Sequence, residues 1–132
     1  MPDLVYLDAS AIVKLVVEET ESRALRTALR GRDRRISSAL ALVEVHLAAG
    51  RRVPAPTPDR VDTVLARFTL IPVDHSTLTS AVRLGRTGLR TIDAVHLATA
   101  HSLGGELEAL IAYDERLLAA ARGLGIPVED PR

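Results

Sequence analysis

The sequence predicts an α/β sandwich built on a mostly parallel sheet. Three observations carry that expectation. Short apolar runs suited to buried strands, above all Leu4–Leu7 and residues 109–113, alternate with helix-length segments. Glycines stand just beyond several of those segments, at Gly31, Gly50, Gly85 and Gly104–Gly105, where helices stop. Of the 132 residues 47% are apolar and none is cysteine, so one core forms without disulfides and the chain reads as a single domain over 1–132.

Taken in order, Leu4–Leu7 is a strand, and residues 9–17 form a first helix. Residues 18–30 form a second, with acids at the start and arginines toward the end, as the helix dipole favours. Residues 35–37 are a short strand and residues 39–49 a strong helix. Three prolines in 53–58 make an extended connection within the domain, and the helix over 58–68 carries Pro58 in its first turn. Residues 70–73 are a strand whose Pro72 suits only an edge position. Helices follow over 76–84 and 91–103, a buried strand over 109–113, a helix over 115–122 and a last short strand over 126–128. In such sheets ligands bind beyond the carboxyl ends of the strands.

Composition excludes several functions. Without cysteine there is no redox motif and no thiolate zinc site. No run approaches the roughly 20 uncharged apolar residues of a membrane-spanning helix. The N-terminus lacks the basic region of a secretion signal, so a cytoplasmic protein is expected. Lys14 is the single lysine among 17 basic residues; the arginine bias fits phosphate contacts or simply a GC-rich coding sequence. With only two tyrosines and one phenylalanine, a base-stacking platform is ruled out, and any nucleic acid binds through its phosphates.

Two apolar strands end in an acid, Leu4-Val5-Tyr6-Leu7-Asp8 and Leu110-Ile111-Ala112-Tyr113-Asp114. Each acid is a plain helix cap when taken singly. Together, at one edge of a parallel sheet, they form a candidate divalent-metal site. Glu44 lies mid-helix between apolar neighbours, without a cap or dipole role. Asp93 lies in the first turn of its helix, where the dipole alone explains an acid as well as chemistry does. Clustered carboxylates repel and lose charge unless a cation keeps them ionised. Oxygen-only donors select Mg²⁺, or Mn²⁺, over zinc. Asp8 and Asp93 are the expected direct ligands, with Glu44 and Asp114 bound directly or through water. The chemistry expected of such a site is metal-assisted hydrolysis of a phosphodiester.

The same residues sit in motifs that resemble those of PIN-domain nucleases: Tyr6-Leu7-Asp8-Ala9-Ser10-Ala11-Ile12-Val13, then Ser37-Ser38-Ala39-Leu40-Ala41-Leu42-Val43-Glu44, then Arg90-Thr91-Ile92-Asp93-Ala94-Val95-His96-Leu97-Ala98, then Tyr113-Asp114-Glu115-Arg116-Leu117. The match runs in order along essentially the whole chain. Size and the third motif look most like the VapC-type toxins of bacterial toxin–antitoxin pairs. The resemblance implies a three-layer α/β/α sandwich and Mg²⁺-dependent endoribonuclease activity on a transfer or ribosomal RNA. It also implies a homodimer and a VapB-type antitoxin partner. Ala112 stands where the fourth motif often has Thr or Ser, which removes a hydroxyl near Asp114.

Three further residues are candidates with equally ordinary explanations. Ser10 either helps hold the metal's water or satisfies the first helical turn. His96, three residues after Asp93 on the same helix face, either orients a carboxylate, contacts RNA, or packs. Arg90 meets a phosphate, neutralises the acids when no metal is bound, or is a surface charge. Arg30, Arg32, Arg34 and Arg35 form a basic cluster near a loop, and Leu25, Leu29 and Val45 supply apolar faces for a partner or for the core. Two other functions stay open at this point, an RNA-processing PIN nuclease outside any toxin pair and a non-catalytic RNA-binding domain.

Overall fold

The computed structural model describes residues 4–132. Five strands, β1 (Leu4–Leu7), β2 (Arg34–Ser38), β3 (Thr69–Ile71), β4 (Leu107–Ile111) and β5 (Val128–Glu129), form one sheet in the order β3-β2-β1-β4-β5. All four pairings are parallel. Seven α-helices surround it: α1 (Ala9–Val16), α2 (Ser22–Ala28), α3 (Leu40–Gly50), α4 (Pro58–Leu65), α5 (His75–Leu84), α6 (Thr91–His101) and α7 (Glu115–Gly123).

The layers follow from the alternation of β1. Val5 and Leu7 face one way and pack with residues of α1 to α4. Tyr6 faces the other way and packs with Leu97 and Ala100 of α6 and Leu117, Leu118 and Ala121 of α7. The result is a three-layer α/β/α sandwich with a wholly parallel sheet. Helix α5 closes on α6 where Gly85 approaches Ala94; a Cβ at Gly85 would stand 2.8 Å from the Ala94 Cβ, so the glycine permits that contact. No helix among the described residues is long and apolar enough to cross a membrane.

Pro72 lies just past β3, which is an edge strand, as a proline requires. Several bounds depart from the sequence expectation: β3 spans 69–71 rather than 70–73, β5 128–129 rather than 126–128, α4 ends at Leu65 rather than 68 and α6 at His101 rather than 103. Helix α2 begins at Ser22 rather than near Glu18, because Glu19 and Glu21 are drawn to Lys14 (3.2 and 2.7 Å) and the Ser22 hydroxyl accepts from the Glu19 N–H, folding 17–21 into a turn. Strand β4 runs Leu107–Ile111 and ends before Ala112, so Asp114 stands three residues beyond the strand instead of directly ending it.

The basic cluster of 30–35 is largely committed to structure. Arg32 grips Glu108 of β4 and Glu129 of β5, and Arg35 donates to the backbone carbonyls of Arg32 (2.9 Å) and Leu29 (3.3 Å). Leu25, Leu29 and Val45 are core residues, not a free face.

Candidate active site

The chain builds β1, β2 and β3 outward on one side, then returns to place β4 and β5 on the other side of β1. The crevice between β1 and β4 is therefore the topological switch point, where parallel sheets hold ligands. Asp8 follows β1 and Asp114 lies beyond β4, so both stand at that crevice.

Asp8 caps α1. Its Oδ1 accepts from the Ala11 N–H (3.0 Å), and the Ser10 hydroxyl donates to the same carboxylate at 2.9 Å. The group is only 4% exposed. Burial pushes its pKa up and the Asp93 carboxylate adds to that, while His96, the Ala11 N–H and Ser10 pull the other way. An ionised Asp8 is thus held at a cost that a cation removes. Asp114 caps α7, accepting from the N–H groups of Arg116 (2.9 Å) and Leu117 (3.1 Å).

Residues 6 and 8 share one side of β1, and residues 93 and 96 share one side of α6. The two periods meet. Asp8 and Asp93 lie close enough to repel, and the Tyr6 hydroxyl lies 2.6 Å from His96 Nδ1. His96 Nε2 lies 2.7 Å from Glu44 Oε1. A carboxylate only accepts, so Nε2 carries a proton there. Arg90, exposed before α6, spans two acids: its Nε donates to Asp93 Oδ2 at 3.3 Å and its Nη2 lies 3.6 Å from Asp114 Oδ2.

All four sequence-selected acids come to this region, but not as one tight cage. Among the described residues no three His, Asp or Glu side chains converge closely enough to hold a single ion. Asp8 and Asp93 form the inner pair, Asp114 joins through Arg90, and Glu44 joins through His96. Apolar neighbours do not bury Glu44, since Val43 and Leu47 are themselves exposed. Ser10 contacts Asp8, His96 contacts Glu44, and Arg90 contacts both Asp93 and Asp114. Sequence reasoning passed over Tyr6, whose one signal was its place two residues before Asp8 on the same strand face. Burial raises the Tyr6 pKa well beyond the usual tyrosine range, so it is a neutral hydroxyl at ordinary pH.

Comparison with known proteins identifies the family. The PIN domain family model matches residues 5–123. Ribonuclease VapC46 of Mycobacterium tuberculosis is 46% identical over 96% of this chain and 97% of its own length. Ribonuclease VapC35 of the same species is 40% identical over 97% of each chain. The chain belongs to the PIN-domain family, on its VapC branch. A solved toxin–antitoxin complex from Klebsiella pneumoniae contains a chain of the same fold, with a TM-score of 0.75 and 23% identity over 97% of this chain and 98% of that one. PIN-domain VapC ribonucleases generally depend on a divalent metal. The inner pair suits such an ion: its donors are all carboxylate oxygens, and Mg²⁺ takes only one or two direct carboxylates while keeping its waters.

Proposed function

We propose that the chain is a Mg²⁺-dependent endoribonuclease acting as the toxin of a toxin–antitoxin pair, with residues 1–132 working as one PIN unit. The observation that carries this reading is the like-charged pair of buried Asp8 and part-exposed Asp93 at the sheet's switch point. Asp8 and Asp93 hold the metal; Glu44 and Asp114 contribute beside them, directly or through water. A divalent cation, when bound, supplies a water of lowered pKa and offsets phosphate charge.

The chain's own residues do the rest. Ser10 and the Ala11 N–H fix the Asp8 carboxylate in one orientation. Glu44 commits Oε1 to His96 and keeps Oε2 without a partner among the described residues, a position from which it accepts a proton from attacking water. Arg90 offsets Asp93 and Asp114 in the metal-free chain and turns to the RNA phosphate when substrate binds. The partners are a VapB-type antitoxin and a second copy of the chain. The exposed apolar side chains Val43 and Leu47 on α3 and Leu78 and Val82 on α5 support a protein that is covered in its assembled state.

The test is cleavage of transfer and ribosomal RNA by purified protein with Mg²⁺ or Mn²⁺, compared with Asp8→Asn and Asp93→Asn. Losing a partner that merely orients a ligand costs about 10–100-fold, so each ligand variant is expected to lose at least about 100-fold. Full activity in both folded variants refutes the site. Rescue of cell growth by a small gene adjoining this one distinguishes the toxin from a housekeeping nuclease.

A further inference from the structure

We infer that Tyr6 is a positioning residue for Glu44, acting through His96 in a hydroxyl–imidazole–carboxylate relay; this rests on the nuclease reading above. The relay joins three elements. Tyr6 comes from β1, His96 from α6 and Glu44 from α3, with contacts of 2.6 and 2.7 Å. Tyr6 is fully buried and His96 is 1% exposed, whereas the Glu44 side chain is 23% exposed. The fixed end of the relay is inside the protein and the free end is at the site.

Hydrogen-bond supply makes the arrangement directional. Glu44 accepts a hydrogen bond from Nε2–H, so the ring in its neutral form presents a bare Nδ1 that needs a donor. Two other hydroxyls stand beside Tyr6, those of Ser37 and Thr99. Ser37 donates its single proton to the Leu7 carbonyl (2.6 Å) and Thr99 gives its own to the Val95 carbonyl (2.8 Å). The Tyr6 hydroxyl is then the donor left for Nδ1. Its bond fixes the ring tautomer that presents N–H to Glu44. The ring is also held from turning, because it meets Tyr6 edge-on, at 5.8 Å between centroids and 72° between planes.

A glutamate on a helix with exposed apolar neighbours otherwise samples many rotamers, and ordering it costs entropy at the moment of reaction. A buried imidazole locked from behind removes that freedom before substrate arrives. Position 6 therefore needs a hydroxyl as well as a ring, which a core role alone does not require.

Tyr6→Phe removes one oxygen and keeps the ring. The expected result is a kcat lowered about ten-fold with KM unchanged, the range for losing a group that orients a site residue. In ¹⁵N spectra of the metal-free protein, His96 should show one Nε2–H tautomer in the wild type and a mixture in the variant. A wild-type kcat in Tyr6→Phe, or a KM effect alone, overturns the proposal. If the variant does not fold, the wild-type spectrum decides: a tautomer mixture there overturns it. Should the wild type cleave no RNA, the nuclease reading fails by itself, and the tautomer in wild type and variant still decides whether the relay exists.

Discussion

The molecule contains two histidine–carboxylate contacts of the same length and opposite character. His96 and Glu44 meet at 2.7 Å, and so do His46 and Asp62. The first ring is 1% exposed and is held from behind by Tyr6; the second is 30% exposed and faces an aspartate that is 62% exposed. Distance alone ranks them equal. Burial separates them, because the partner of a buried polar group cannot be replaced by water, while an exposed pair exchanges its contacts with solvent at little cost. A contact's worth in this protein is set by what stands behind it.

The largest break in that comparison is His96→Ala. It leaves a cavity, a buried tyrosine hydroxyl without its partner and a loose Glu44, and should lower stability by about 2–4 kcal/mol in denaturant melts and kcat by about 10–100-fold. Equal loss of stability in His46→Ala would remove the distinction.

Next in size is Asp8→Asn, which contrasts two helix-capping aspartates. Asp8 is buried with a raised pKa; Asp74, capping α5 in the open, has a lowered one from its bonds to Thr77. A raised carboxylate pKa means the folded chain favours the protonated form. Asp8 therefore supports folding below its unfolded pKa, and that support is lost as pH rises through its folded pKa. Asparagine keeps the cap, so metal-free Asp8→Asn should melt above the wild type at pH 7, and that margin should shrink as pH falls to 3. Asp74 has the opposite sign: its contribution is present at neutral pH and lost as pH falls through its folded pKa. An Asp8→Asn chain that melts lower at pH 7 contradicts the burial argument.

A smaller effect sharpens the contrast between the two tyrosines. Tyr113, half-buried and near Glu21, has its pKa pushed up to about 12, and Tyr6 lies higher still. Absorbance at the tyrosinate band should stay flat in the native chain until near that pH and rise around pH 10 only after unfolding. Because the folded values are raised, both tyrosines stabilise the fold below pH 10, and that support fades as pH climbs through their folded values. Native tyrosinate appearing by pH 10 contradicts this. The smallest effect expected is that of Asp62→Asn, within about 0.5 kcal/mol and with wild-type kcat.

Much of this was readable in the sequence because the deciding signals are local. Leu4–Leu7 is a run without polar interruption, Pro72 announces an edge, and Asp8 stands between a strand and a helix. The four acids were selectable from placement and motif. Their grouping was less legible. That Arg90 bridges Asp93 and Asp114, or that Glu44 is held by His96, depends on β1, α3 and α6 meeting, and such contacts leave no periodic trace. Tyr6 was hidden for the same reason, since an aromatic in an apolar strand reads as core until the ring beside it is known. The start of α2 was misplaced because Lys14 competes for Glu19 and Glu21 from outside the segment. The basic run at 30–35 looked like a phosphate surface because the acids that absorb Arg32 lie far along the chain.

The order of the sheet has a consequence for the birth of the molecule. Strand β1 is made first, yet its neighbour on one side is β4, with Leu4 beside Leu107. Chains emerge from the ribosome N-terminus first, so Asp8 waits through most of synthesis without the strand that completes its crevice. A nascent chain of this order holds an incomplete crevice until residues 107–111 have emerged to pair with β1. The crevice is finished only when the end of the chain is released, so whatever binds there meets a completed protein and not a growing one.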